Sequence, residues 1–544
     1  MSRISTDNTR WPLRFDPATP HRYRSVWPGR NLIDFIGDYL PRKANAVAVV
    51  DRGARYTFAQ VMQSVGAMAS ALESLGIGSG DVVTFQLPNW VQAVVLHLAC
   101  LRIGAVVNPV VPIYREKELN YILEDAGTAL LVIPDTYRGF DYPALAARLH
   151  VKPRHIMVCG DPVPGLLHFD TLLREFAGKH PDGASIHPDA LSYLLYTSGT
   201  EADPKGVEHT QNILLFDLIN MIEMNRIDDH DVLFGASPVT HVTGLVYTLI
   251  LPFIRGNKVC LFDTWVPAEA ARIIEQERCT WTVGATPFLR DLLYNEDARK
   301  HDISSLRSFR CGGADVPPSL ILDAQAHGLR AYRSYGCTEH PTISGVLYSD
   351  EAKSATTDGL LHSHIEMKCV DPDDASRVLG PGEIGEILTR GPDMSMGYHR
   401  PELNDKAFDE DGWFRTGDLG FLDADRYVTI TGRKKDIVIR KGENISTKEL
   451  ENILVRHPGV AEVAVIGMPD GERGERVCAV VVPRTAEGFT FADMTAILQE
   501  AGVARQKFPE QLELLESLPT TAAGKVRKSQ IRKDLIEAME QKQT

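Results

Sequence analysis

At 544 residues the chain exceeds the size at which one hydrophobic core keeps growing, so two or more domains are expected. Its composition, 44% hydrophobic and 24% charged, is that of an ordinary globular protein, and a net charge of −14 argues against nucleic acid as a partner, which needs a basic footprint. Eight scattered cysteines without a CxxC pair argue against a disulfide framework and for a reduced, cytoplasmic setting, and no apolar run approaches the roughly 18 residues of a membrane span.

The N-terminal MSRISTDNTRWPLRF lacks an apolar signal-peptide core, and the C-terminal QKQT is no retention or peroxisomal address. From about Asn45 to Tyr335, apolar helical stretches alternate with short β-branched runs. FAQVMQSVGAMASALESLG reads as an amphipathic helix, Gly-Ser-Gly breaks it, and DVVTFQL reads as a strand. WVQAVVLHLACLRIG then reads as a helix and AVVNPVV as a strand; LVYTLILPF is an apolar helix, PAEAARIIEQERC is helical and TWTVGATP is extended. This alternation predicts an α/β fold: a large N-terminal domain of layered sheets, with ligands at the carboxyl ends of strands. Those ends lie after LSYLLY, TWTVGA and RAYRSYG. Beyond about Ile365, IEMKCVD, GEIGEILTRG and RYVTITG are short strands with Gly or Asp turns, a β-rich subdomain. Near Gly432 a last block begins, with KELENILVRH helical, AEVAVIGM and ERVCAVVVP extended, and DMTAILQEAGV helical. It predicts a small α+β C-terminal domain, so the expected division is 1–432 and 433–544.

One loop carries phosphate chemistry. YTSGTEADPKGV (Tyr196 to Val207) follows a strand and supplies hydroxyls at Thr197, Ser198 and Thr200. Amides freed by Gly199 and Gly206, with the point charge of Lys205, suit phosphate oxygens. The spacing is not that of a Walker A loop, because Pro204 stands directly before Lys205. A surface turn rich in small polar residues is the competing reading of this stretch alone.

Further motifs follow in order: PVTHVTG (238–244), CGGAD (311–315), YGCTE (335–339), GEIGEILTRG, GWFRTGDLG (412–420), GRKKDIVIRKGENIS (432–446) and PTTAAGKVRK (519–528). Together with YTSGTEADPKGV they resemble the signature set of the adenylate-forming superfamily of acyl-CoA synthetases, luciferases and peptide-synthetase adenylation domains. The resemblance spans about Asn45 to Lys528. It implies a ligase that joins a carboxylic acid to ATP as acyl-AMP and then passes the acyl group to CoA, with Mg²⁺ as cofactor. Both reactants of the first step are anions, so cations must offset their repulsion.

The resemblance also implies residue roles. Lys205, Thr197, Ser198, Gly199 and Thr200 would clamp the β- and γ-phosphates, and Glu339 would bind Mg²⁺. Thr338 would bond the α-phosphate; Tyr335, followed by Gly336, would stack on adenine opposite Gly313 and Ala314. Asp418 would accept the ribose hydroxyls, Arg433 would hold ribose or phosphate, and Lys525 would bridge the carboxylate and α-phosphate during adenylation. Lys435 would be the hinge that removes Lys525 and brings Gly442 to line the thiol channel. His241 would lie near the acyl carboxylate, with helix capping as the competing reading.

The stretch Ala236 to Gly244 contains no acid to hold an α-ammonium, which argues against an amino acid substrate. Val242, Leu245, Val246, Thr286, Pro287 and Phe288, with room left by Gly312 and Gly313, predict a pocket for an apolar acid of short to medium length or an alicyclic one. The phosphate loop departs from the family at Glu201 and Ala202, where Thr and Gly are usual. Glu201 and Asp203 are expected to face solvent, away from the triphosphate. His362 and His364 could share one face of a strand, but no third ligand stands at zinc spacing. The alternatives are a ligase that loads a free-standing carrier protein, a luciferase-like oxygenase and an inactive nucleotide sensor; a homodimer is compatible with the sequence.

Overall fold

The computed structural model describes residues 23–181, 186–197, 203–313, 316–346, 350–440, 443–470, 474–484, 488–521 and 525–543. The chain divides into two compact units: residues 1–366 with 390–413, and residues 367–389 with 414–544.

The first unit is built on two seven-stranded sheets. One runs, edge to edge, Ala331–Arg333, Ser308–Cys311, Trp281–Gly284, Val232–Gly235, Lys258–Leu261, Val47–Asp51 and Ala54–Thr57. It is parallel except at the last hairpin. The other runs Lys205–Thr210, Leu191–Thr197, Val106–Pro109, Val82–Phe85, Thr128–Pro134, His155–Cys159 and Leu167–His168, and is antiparallel only between its first two strands. The strand–helix alternation is therefore real, but it is shared between two sheets.

Local sequence explains the helices. Helix Phe58–Ser74 starts at a capping box, Thr57 accepting from the Gln60 amide while the Gln60 side chain accepts from the Thr57 amide. Helix Val91–Ile103 is buried on nearly every face, as its continuous apolar sequence requires. Leu32, Phe58, Val83, Leu96, Leu214 and Leu249 join one continuous core.

The apolar stretch after His241 departs from a plain α-helix. It runs as a short turn Val242–Gly244, a π-helical segment Leu245–Ile250 and an α-helix Leu251–Arg255. Pro252 lacks an amide and its ring crowds the carbonyl four residues back, so the helix widens and Leu251 donates to the Val246 carbonyl instead.

In the second unit a four-stranded sheet orders Glu366–Val370, Gly385–Arg390, Phe414–Leu422 and Val428–Arg433. A five-stranded sheet follows, with Glu443–Ile445, Val438–Arg440, Gly474–Pro483 and Val460–Asp470 in that order and Gln511–Leu514 also paired to Gly474–Pro483. Helices Thr447–Leu454 and Phe491–Glu500 cover one face through Leu450, Leu454, Met494 and Leu498. Ile531, from helix Lys528–Gln543, joins the cluster on Ala464, Ile466 and Val480.

Candidate active site

In the first unit the phosphate strand is a hairpin arm. Thr197 ends Leu191–Thr197 and stands opposite Lys205, which begins the antiparallel Lys205–Thr210. The two ends of the loop are thus fixed beside each other. Ser198, Gly199, Thr200, Glu201 and Ala202 lie outside the described residues; Asp203 is exposed, as its charge requires.

Residues 394–399 lie along the outer edge of Lys205–Thr210. The Met396 amide donates to the Glu208 carbonyl at 2.8 Å, the Glu208 amide to the Gly397 carbonyl at 3.0 Å, and the His399 amide to the Gly206 carbonyl at 2.8 Å. An Nδ1–Oε1 contact of 2.7 Å between His399 and the buried Glu208 closes this seam. The pairing directs Tyr398, only 4% exposed, toward the site. Lys205 Nζ sits 5.1 Å from the centre of its ring, and its hydroxyl donates to Glu339 Oε1 at 2.5 Å. Burial, reinforced by the Glu339 charge, raises the Tyr398 phenol far above its usual range, so it is a donor at every ordinary pH.

Glu339 belongs to a loop pinned on all sides. Ser395 donates its amide to the Glu339 carbonyl at 2.8 Å, and Cys337 donates to the His340 carbonyl at 2.9 Å. His340 Nε2 and Asp393 Oδ1, both buried, are 2.8 Å apart, and Tyr247 shares a hydroxyl hydrogen bond of 2.7 Å with Thr342. His209 Nε2 meets the Thr338 carbonyl at 2.8 Å. Burial lowers His209 to about 4, so the ring is neutral and must carry its proton on Nε2. A Cβ on Gly336 would stand 2.0 Å from the Pro341 carbonyl oxygen, so no larger residue fits this turn. Tyr335 bridges Ser344 through paired backbone bonds of 3.3 and 3.1 Å. Residues 334–339 are half-buried between the buried Arg333 and His340, a rim open to a ligand. Gly313, past strand Ser308–Cys311, has φ +78; Ala314 lies outside the described residues.

His241 is the N-cap of the turn Val242–Gly244, its Nδ1 accepting from the Thr243 amide at 3.3 Å. This capping contact holds the ring in place. It also fixes a tautomer, because a neutral ring that accepts at Nδ1 carries its proton on Nε2. Val242 packs on a core that includes Leu245 and Val246.

In the second unit, Asp418 and Arg433 are partners across paired strands, with Arg433 Nε donating to Asp418 Oδ1 at 2.7 Å. Asp418 is therefore not an open carboxylate: Arg433 orients one of its oxygens. Lys435 lies in the 3₁₀ turn Lys434–Asp436, where the preceding Lys434 is anchored to Glu386 at 2.9 Å and to the Pro372 carbonyl at 2.7 Å. Lys525 is exposed beside a turn that it helps to close: its amide donates to Thr521 Oγ1 at 3.1 Å and its carbonyl accepts from the Thr521 amide at 2.7 Å. Gly442 lies outside the described residues.

Residues 39–399 match the family described as "AMP-binding enzyme", and residues 449–525 match the "AMP-binding enzyme C-terminal domain". The chain belongs to the AMP-binding enzyme family. It is 35% identical over 530 residues to the medium-chain fatty-acid–CoA ligase of Escherichia coli (strain K12), spanning 96% of this chain and 93% of that one. It is 30% identical over 538 residues to the 2,3-dihydroxybenzoate-AMP ligase of Bacillus subtilis (strain 168), spanning 98% of both. The crystal structure of ATP-bound MatB from Rhodopseudomonas palustris superposes with a TM-score of 0.83 at 28% identity, over 93% of this chain and 98% of that one. The fold and family implied by the motifs are thus established, and the chain is a ligase of the adenylate-forming class.

Within this AMP-binding enzyme the donor set bears on the metal. Among the described residues no group of three His, Cys, Asp or Glu side chains could cage an ion. Glu339 is a single half-buried carboxylate, which suits a hard cation that takes one protein oxygen and shares the rest with phosphates and water, as Mg²⁺ does. His362 and His364 do not share a strand face: the strand ends at Leu361, His362 is buried, and His364 has φ +65 with its ring against Phe216. Among the described residues no helix is long and apolar enough to cross a membrane.

Sequence reasoning did not single out Tyr398, His399 or His209. The signal for the first two was the run MSMGYHR, where buried small and apolar residues end in two polar rings. His209 sits in EHT, whose alternation gives no hint that all three residues are buried.

Proposed function

We propose that this AMP-binding enzyme activates an apolar carboxylic acid, short to medium in length or alicyclic, to its acyl-AMP and transfers the acyl group to CoA with release of AMP. The observation that carries the first step is the convergence of Lys205, Tyr398 and Glu339 beside the end of strand Leu191–Thr197. An ammonium and a carboxylate held beside one loop suit a triphosphate: Lys205 with Thr197, Ser198, Gly199 and Thr200 holds the β- and γ-phosphates, and Glu339 is the protein ligand for Mg²⁺. When bound, Mg²⁺ supplies positive charge to the phosphate oxygens. Thr338, its carbonyl fixed by His209, presents its hydroxyl to the α-phosphate. Tyr335 and Gly336 face adenine opposite Gly313 and Ala314, and Asp418, oriented by Arg433, accepts from the ribose.

His241, with Nε2–H as its donor, addresses the substrate carboxylate. The acyl tail lies along Val242, Leu245 and Val246. Lys525 stabilises charge at the α-phosphate during adenylation. A hinge at Lys435 then turns residues 433–544 so that the Gly442 loop admits the thiol. The relatives include both a CoA ligase and an AMP ligase, so acid and acceptor are the points to test.

The test is incubation with ATP, Mg²⁺, CoA and a panel of straight-chain, alicyclic and hydroxyaryl acids, following AMP and thioester. AMP and thioester in equal amounts from the apolar acids are expected. Turnover confined to hydroxyaryl acids overturns the substrate class. AMP release that requires a carrier protein overturns CoA as acceptor, and no AMP at all returns the nucleotide-sensor reading.

A further inference from the structure

Lys205 and Glu339 carry opposite charges and both contact one aromatic side chain, yet among the described residues no ion pair joins them. An ammonium and a carboxylate that share a neighbour and come within about 4 Å attract by a few kcal/mol at intermediate dielectric. Such a pair would be useless here, since each charge would neutralise the group that the nucleotide needs. What both of them touch is Tyr398. Its hydroxyl saturates Glu339 Oε1 at 2.5 Å, and its ring face meets the Lys205 ammonium at 5.1 Å. The ring cannot easily withdraw, because Tyr398 is 4% exposed and its backbone is stitched opposite Val207. The flanking bonds from His399 to Gly206 and from Met396 to Glu208 hold it at the same register.

We infer that Tyr398 is a positioning residue that keeps the phosphate lysine and the cation-binding carboxylate apart and aimed before nucleotide arrives. The ring face stabilises the ammonium without consuming a carboxylate. The hydroxyl occupies one oxygen of Glu339 and so fixes the plane of the carboxylate, leaving Oε2 to a divalent cation. The inference rests on the proposed roles of Lys205 and Glu339.

The test reads binding rather than turnover. ATP affinity of the full-length protein is measured by calorimetry with and without Mg²⁺, and the ratio of the two constants is taken within each variant, so that a change in folded fraction cancels. Electron paramagnetic resonance of Mn²⁺–ATP reports the cation's surroundings independently. Tyr398→Phe should shrink the Mg²⁺-dependent gain at least about tenfold, as expected for losing one hydrogen bond to a charged group. It should also alter the Mn²⁺ spectrum. Lys205→Met in the same chain should restore most of the ratio, because the carboxylate then has no ammonium to collapse onto; a merely structural tyrosine would show no such rescue. Glu339→Gln separates the two layers. If it keeps the full Mg²⁺ gain, the reading of Glu339 as cation ligand fails. If it loses the gain while Tyr398→Phe keeps it, or if Lys205→Met gives no rescue, the role assigned to Tyr398 is wrong.

Discussion

Gly336→Ala should silence the site while leaving most of the fold standing. A methyl group there would lie 2.0 Å from the Pro341 carbonyl oxygen, 2.7 Å from its carbon and 3.2 Å from the His340 oxygen, whereas ordinary contact begins near 3.4 Å. All three atoms are backbone, so no side chain can rotate aside, and the loop must move by more than an ångström. Its other attachments resist: Ser395 and His209 hold the carbonyls of Glu339 and Thr338, and Asp393 holds His340. Overpacking of this kind costs about 1–3 kcal/mol. A displacement near 1 Å of groups that position a reacting phosphate costs about 10²-fold in rate. ATP–pyrophosphate exchange with an accepted acid should therefore fall about 10²-fold or more. The control is Gly127→Ala, where φ is +60 and a Cβ meets nothing within 4 Å. It carries only the left-handed backbone cost of about 1–2 kcal/mol and should keep its exchange rate. Near-normal exchange in Gly336→Ala, with matched melting curves for both variants, would refute the claim that this turn is rigid and sets the site.

Lys525→Ala should reduce pyrophosphate exchange by at least about 10²-fold, as for loss of one charged transition-state donor, and leave thioester formation from pre-made acyl-adenylate nearly intact; equal losses in both assays would make Lys525 structural. Lys435→Pro should do the reverse, since proline fixes φ near −65° and resists a torsional hinge: adenylate forms, CoA is not consumed, and unchanged overall turnover would place the hinge elsewhere. The Asp217 carboxyl is raised by burial and then by the Asp393 charge, so the native state keeps a proton that the unfolded chain has lost. Its contribution to stability is complete below the unfolded carboxyl range and declines as pH rises toward the folded value. Asp217→Asn should therefore melt close to wild type near pH 5 and roughly 2 °C or more above it near pH 9, and parallel melting profiles would show that Asp217 is ionised throughout.

Much of this protein is written in short range. The helix Phe58–Ser74 and the strand Val82–Phe85 follow from period and punctuation, because a capping box and a Gly-Ser-Gly break act on neighbours in sequence. The motif order is likewise local text, and it was sufficient for the family. What it could not carry is any decision made between distant segments. The alternation of strands does not say that Val82–Phe85 and Val232–Gly235 belong to different sheets, because both read as buried apolar runs and only their pairing separates them. The helix after His241 widens at Pro252 under a steric conflict that a hydrophobic pattern does not register. Glu339 could be named from YGCTE, but its setting depends on Tyr398, fifty-nine positions away, and on His209, whose ring bonds the preceding carbonyl. Hydrogen bonds and aromatic faces act over a few ångströms whatever the sequence separation, so the residues that aim the site became visible only once residues 394–399 lay along Lys205–Thr210.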